Sequence, residues 1–176
     1  MKTKKQFKFF TIFQVEEEQE YLRRMHQKGW KFVGVSFLVI YNFVSCEPED
    51  VVYQLDYNKE GIANKAEYVQ MFKDCGWEYL MDFVGFSYFR KPASNMSGEE
   101  EIFSDDESRL AMVDRIYKGR MIPLLVLFFT IVLPQFIMQS LHGEYALAIV
   151  FMCILILYLT IFVGFVVKRK KYKDNM

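Results

Sequence analysis

Neither of the two longest apolar runs of the chain, residues 121–141 and 146–167, contains an Asp, Glu, Lys or Arg. At about 1.5 Å per residue, such a run makes a helix roughly 30 Å long, the thickness of a bilayer's hydrocarbon core. Two transmembrane helices are therefore expected. Other scarcities narrow the chemistry of the rest. The only histidines are His26 and His142, and the three cysteines, Cys46, Cys75 and Cys153, form no close pair. That set lacks the ligand spacing of a structural zinc site, so no metal or other cofactor is expected and the thiols are read as reduced. A charge excess is missing as well, with 22 basic against 22 acidic residues. Nucleic-acid binders normally carry a basic surplus, and none is expected to bind here. The basic start Met1-Lys2-Thr3-Lys4-Lys5 is followed by an apolar patch that ends at Glu16 without a cleavage site, so it is read as mature protein and not as a signal peptide.

Positive charge sets the expected orientation. Arg115, Lys118 and Arg120 precede the first run, and Lys168, Arg169, Lys170 and Lys171 follow the second, whereas the turn at 142–145 has no Lys or Arg. Basic flanks stay on the cytoplasmic side. A multi-pass cell-membrane protein follows, with both termini cytoplasmic and only a short external turn. The domain plan is a cytoplasmic region over 1–92, an acidic linker over 93–103, a connector helix over 104–120, spans at 121–141 and 146–167, and a basic tail over 168–176.

The cytoplasmic region carries a repeat. Glu-Tyr recurs from 20 to 67 and Gly-Trp from 29 to 76, both 47 residues apart. The same offset sets Phe10 against Tyr57 and Tyr41 against Tyr88, and defines two copies, about 5–46 and 50–92, of one supersecondary unit. Each copy reads as strand, helix, strand, strand. Residues 7–13 and 51–57 have strand composition, while 16–28 and 62–75 place apolar residues at helical spacing. Gly29 and Gly76 stop the helices, and Trp30 and Trp77 lead into strands at 30–35 and 77–84, followed by 37–44 and 86–91. The expected fold is α+β, a duplicated β-α-β-β unit forming a largely antiparallel sheet with helices on one face, ferredoxin-like in style. One continuous sheet is favoured over two, because either copy alone is too small to fold securely.

Beyond the repeat, Ser104 and Glu107 match a capping box that starts the connector helix, with Pro123 as a bend and Pro134 as a kink in the first span. The acidic cluster of Glu99, Glu100, Glu101, Asp105, Asp106 and Glu107 lacks the alternating ligands of a calcium loop and is read as linker and cap. His26 is a weak candidate general base that would need Asp56 or Asp82 beside it, since no nucleophile accompanies it.

The Gly-Trp turns, Gln54-Leu55-Asp56-Tyr57, Tyr88-Phe89-Arg90-Lys91, and Ile102-Phe103-Ser104-Asp105 followed by Glu107-Ser108-Arg109 resemble domain-of-unknown-function family 2812 over roughly residues 5–118. Position 86 is Phe where that family is expected to have Trp. The resemblance implies a bacterial membrane protein often found beside a PadR-type transcriptional regulator, with no catalytic residues to carry over.

Trp30, Trp77, Tyr41, Tyr88 and Phe86 are the candidate ligand or partner surface, because rings line apolar sites as well as cores. The polar members of the spans, Thr130, Gln135, Gln139, Ser140, Tyr158 and Thr160, include no ionisable pathway that would support transport by this chain alone. The expected function is a membrane-anchored cytoplasmic sensor or regulatory module, not an enzyme, with the lipid bilayer and a regulator or transporter as partners. The alternative is an accessory or structural subunit of a membrane transporter complex.

Overall fold

The computed structural model describes residues 2–11, 14–37, 39–57, 64–96, 106–143 and 145–174, with the backbone alone at 106–109, 168 and 171–174. The chain forms two compact units, Met1–Ser104 and Asp105–Met176. In the first, the order is β1 (Thr3–Phe7), α1 (Val15–Gln27), β2 (Trp30–Ser36), β3 (Ile40–Ser45), β4 (Val51–Tyr57), α2 (Lys65–Asp74), β5 (Glu78–Phe83) and β6 (Phe86–Pro92). This is an α+β fold made of two β-α-β-β halves.

The strands form two antiparallel three-stranded sheets, ordered β1-β3-β2 and β4-β6-β5, so the single continuous sheet favoured from sequence is replaced by two. One edge strand of each sheet, β2 and β5, carries a bulge, at Phe32/Gly34 and Tyr79/Met81. A bulge disrupts the ladder and bends the strand, which blunts both edges.

The two ladders also correct the pairing of the halves. The bulges lie 47 residues apart, and that spacing holds from β2 to β5 but not from β3 to β6. Gly34 pairs with Asn42 where Met81 pairs with Tyr88, and Val35 pairs with Tyr41 where Asp82 pairs with Ser87. Thus Ser87, not Tyr88, occupies the place of Tyr41. The cause is the turn: three residues separate Ser36 from Ile40, and two separate Phe83 from Phe86. Likewise Tyr57, paired with Phe86, corresponds to Phe7, paired with Ile40, and not to Phe10.

The first strand lies earlier than its composition implied, at Thr3–Phe7 instead of 7–13, of which 12–13 fall outside the described residues. Phe10 leaves the ladder and packs its ring on Tyr21 and Tyr41, with centroids 5.7 and 5.8 Å away. A ring that belongs to a plug and one that belongs to a strand have the same sequence signature.

Helix α1 packs on the sheets through Val15, Glu18, Leu22, Met25 and His26, one face at the spacing of a helical stripe. Glu16, Glu17 and Glu18 begin it and Arg24 and His26 end it, which complements the helix dipole. Phe32, fully buried, lies 5.9 Å from both Tyr41 and Phe43 in its own sheet and 5.8 and 6.3 Å from Tyr88 and Tyr53 in the other. The second sheet is therefore covered on both faces. On its far side, Tyr68 and Phe72 of α2 pack with Trp77 and Phe89, the Phe72 and Phe89 rings stacking at 4.1 Å. Double coverage explains why β4 and β6 are buried almost continuously instead of alternating.

The second unit is a helical hairpin. A helix runs from Asp106 to Leu141 through α3 (Asp106–Ile116), α4 (Ile122–Leu127) and α5 (Leu133–Leu141), joined by π-helical turns at Tyr117–Met121 and Phe128–Val132. After a turn in which Gly143 takes φ 74, α6 (Tyr145–Asp174) returns. The π turns have a cause. Pro123 and Pro134 clash with, and cannot donate to, the carbonyls four residues back, at Gly119 and Thr130, and each of those residues lies inside a widened turn. The capping pair Ser104 and Glu107 and the acidic cluster at 99–101 and 105–107 lie outside the described residues, or have only backbone described.

Candidate functional site

A polar seam runs through the apolar centre of the first unit, and α1 supplies its first member. Glu18 falls on the buried stripe of the helix and is only 7% exposed. Its Oε1 accepts hydrogen bonds from Tyr41 Oη at 2.7 Å and Tyr88 Oη at 2.6 Å. Tyr41 belongs to the first sheet and Tyr88 to the second, so one carboxylate joins both halves. Burial raises the Glu18 pKa above the usual carboxylate range, and the two hydroxyls oppose that shift. Burial also raises the pKa values of both tyrosines, aided by the Glu18 charge, so they remain protonated donors.

Two turns along α1, His26 Nδ1 lies 2.8 Å from Tyr53 Oη. Tyr53 Oη also accepts from the Phe32 backbone N–H at 3.4 Å. Burial, with the nearby Arg90 charge, lowers the His26 pKa, so the ring is neutral at physiological pH. Arg90 itself is buried and donates to both carboxylate oxygens of Glu78 at 2.6 Å, and to the Phe32 carbonyl at 3.5 Å. The guanidinium holds Glu78 below the usual carboxylate range. At the edge of the seam, Arg23 and Asp50 form a second two-point pair at 2.7 Å, joined by Gln27 at 2.8 Å.

The sequence candidates are dispersed across this arrangement. Tyr41 and Tyr88 meet on Glu18. Phe86 is buried with its ring 5.2 Å from Tyr57, and Trp77 is buried in the α2 cluster. Trp30 is half-buried, with Lys4 Nζ 5.0 Å above its ring. The carboxylates tested as partners for His26 are engaged elsewhere: Asp56 accepts from Tyr68 at 2.7 Å, and Asp82 accepts from Ser87 at 2.7 Å and pairs with Lys65 at 2.9 Å. Among the described residues, no group of three or more His, Cys, Asp or Glu side chains is placed to hold a metal ion.

Glu18 and Glu78 were not singled out from the sequence, and Arg90 entered only within Tyr88-Phe89-Arg90-Lys91. Glu18 had a readable signal, an acid in phase with Val15, Leu22 and Met25 on one helical face. Glu78 meets Arg90 through the register of β5 on β6, and Tyr53 meets His26 through the packing of α1, neither of which a local pattern encodes.

In the hairpin, the flanking basic residues are fixed in part. Arg169 pairs with Asp114 at 2.9 Å and lies over the Tyr117 ring at 5.4 Å, while Tyr117 stacks on Phe165 at 5.9 Å. Lys118 and Lys170 are exposed, and Arg115 and Arg120 are half-buried; the side chains of Lys168 and Lys171 lie outside the described residues. Thr130, Ser140 and Thr160 each donate to the carbonyl four residues back, at 2.7, 2.8 and 2.8 Å, so their hydroxyls are satisfied within their own helices. Met121, Leu124, Leu125, Tyr158, Ile161 and Phe162 line an apolar recess of about 30 Å³ between the helices. The segments Leu110–Leu141 and Tyr145–Val167 are long and apolar enough to cross a membrane.

Fold and seam together define an α+β unit with a buried polar core, followed by a two-helix apolar hairpin. The chain belongs to the DUF2812 family, described as protein of unknown function, whose model matches residues 14–125. No curated protein and no solved structure matches it.

Proposed function

We propose that the chain is a membrane-anchored regulatory module, in which the two-sheet unit takes up a ligand or protein partner on the cytoplasmic side and the helix from Asp106 to Leu141 carries its state into the bilayer. The observation behind this reading is the connector. The helix that begins at Asp106 continues unbroken into the first apolar span and is pinned to the last turns of α6 by Asp114 with Arg169 and by Tyr117 with Phe165. Its π-helical turns are places where backbone register can shift at modest cost, a feature frequent at functional positions.

Cytoplasmic placement of both termini is part of the proposal, supported by the Lys and Arg residues that flank the spans and are missing from the turn. We read the two halves as copies of one unit, supported by their shared strand order and matching bulges. We take the unit as non-catalytic, because Glu18 and His26 are buried and engaged with tyrosine hydroxyls. The resemblance read from the sequence makes a PadR-type regulator the first partner to try.

The test is purification of the full chain in mild detergent, followed by titration with such a regulator while the fluorescence of Trp30 and Trp77 is read. A saturable change or a stable co-purifying complex supports the module; neither effect would remove the basis for it. A second reading, accessory subunit of a transporter, draws on how little of either span is covered within the chain, 11% and 6% of the two apolar windows. A stable larger complex containing a transporter in the same purification selects that reading.

A further inference from the structure

We propose that the open end of the first sheet is a docking surface for an anionic phospholipid bilayer. Three phenylalanines gather at that end. Phe7 closes β1 opposite Ile40, Phe9 follows two residues later, and Phe37 stands in the β2–β3 turn. Their exposures are 76%, 67% and 88%. The Lys8 backbone N–H donates to the Val39 carbonyl at 2.8 Å, which ties the stretch after β1 to that same turn.

Two exposed lysines accompany these rings: Lys5 precedes Phe7 by two residues on β1, and Lys8 lies between Phe7 and Phe9. Strands β2 and β3 carry no acid, whereas β4 and β5 of the second sheet carry Asp56, Glu78 and Asp82. Basic residues beside exposed rings suit a surface of anionic headgroups over hydrocarbon, where the ammonium groups meet phosphate and the rings enter the acyl boundary. A second copy of the chain fits less well. Lysines along an edge strand oppose pairing with another strand, and β1 is such an edge.

Phe37 adds an independent observation. Its φ is 50°, a left-handed conformation that Asn or Gly adopts with less strain. Nothing in the fold rewards a ring there, since the side chain is almost fully in solvent. A lipid contact would.

The inference rests on the membrane placement proposed above, and the experiment separates the two. The full chain is reconstituted into nanodiscs of phosphatidylcholine, with or without a quarter phosphatidylglycerol, and hydrogen exchange is followed in β1 and the β2–β3 turn. Exchange should slow by about tenfold in the anionic discs relative to the zwitterionic ones, as a local opening becomes harder. The double variant Phe7→Thr/Phe37→Asn should lose most of that protection. It should also melt no lower than the parent, because Thr suits an edge strand and Asn suits the left-handed position. Equal exchange in the two lipids, or protection that survives in the variant, overturns the docking surface while leaving the membrane reading intact. A chain that fails to enter discs at all overturns both.

Discussion

Val84 is a β-branched residue held at φ 49°, followed by Gly85 at φ 81°. Those two positive angles are the signature of a tight two-residue hairpin turn, whose first position favours Asn or Asp. Valine suffers a steric penalty there of about 1–2 kcal/mol. The residue is 43% exposed, so packing offsets only part of that cost. Val84→Asn should therefore stabilise the first unit by about 1 kcal/mol, which for a domain of about 100 residues raises the melting temperature by roughly 4–8 °C. Thermal unfolding followed by tryptophan fluorescence gives the answer, and an unchanged or lower midpoint contradicts the strain argument. Glu18 makes the opposite case, a residue whose cost is electrostatic. Its pKa is raised in the folded state, so the stability linked to its proton is fully present below the unfolded pKa and is lost as pH rises through the folded one. Glu18→Gln removes that dependence and keeps an oxygen to accept from Tyr41 and Tyr88. The variant should gain on the parent as pH climbs from acid toward neutral. Asp50 and Glu78, whose pKa values are lowered by Arg23 and Arg90, behave in the reverse sense but cancel in this comparison because both proteins contain them. Glu18→Leu instead strands two buried hydroxyls, at about 1–3 kcal/mol each, and should be destabilised at every pH.

At the scale of elements, the helix stops test whether equivalent glycines are equally needed. Gly29 and Gly76 end α1 and α2 with φ of 78° and 81°, and their N–H groups donate to the carbonyls of His26 and Lys73, each at 2.8 Å. Alanine at either site meets the same left-handed penalty, about 1–2 kcal/mol. The surroundings differ. A Cβ on Gly29 would lie 3.1 Å from the Cys46 carbonyl oxygen, fixed backbone, whereas one on Gly76 would lie 3.4 Å from the flexible Lys91 side chain. Gly29→Ala should consequently cost clearly more than Gly76→Ala in a denaturant melt, and equal losses would mean that the Cys46 strand edge yields freely. These two glycines were legible in the sequence because they precede the β2–β3 and β5–β6 turns, up to which the 47-residue spacing holds. Tyr41 and Tyr88 were matched at that same spacing and are not equivalent, since one residue fewer in the β5–β6 turn shifts everything after it. The two tyrosines nevertheless meet, because the two sheets pack on each other through Phe32 and Glu18 of α1 is an acceptor that both hydroxyls share. A one-residue slip moves a strand's side chains to the opposite face, so register decided what each ring touches, and register depends on turn length that a coarse repeat does not resolve. The polar seam was hidden for a related reason: Arg90 and Glu78 face each other across neighbouring strands, and Tyr53 reaches His26 only after α1 has packed on the sheets.

At the scale of the whole molecule, the apolar hairpin was the most legible feature, because uncharged runs of this length have few other uses, and the proline positions foretold where its first helix would depart from regular geometry. The division into units at Ser104 and Asp105 has an experimental consequence that follows from where the tryptophans lie. Trp30 and Trp77 both belong to the first unit, and the hairpin has no tryptophan. Fluorescence therefore reports the two-sheet unit alone, while the far-ultraviolet helical signal is dominated by α3 to α6. If the units unfold independently, heating the full chain in detergent should give a fluorescence transition that precedes loss of the helical signal, since helices satisfied in an apolar medium keep their backbone hydrogen bonds. Val84→Asn should move the first transition upward and leave the second in place, and changing the detergent should do the reverse. Coincident transitions for both probes in every detergent, shifted together by Val84→Asn, would instead mean that the chain unfolds as one cooperative body. The relay proposed for the connector would then work through a single folding equilibrium, and a ligand of the two-sheet unit would have to stabilise the hairpin by the same free energy.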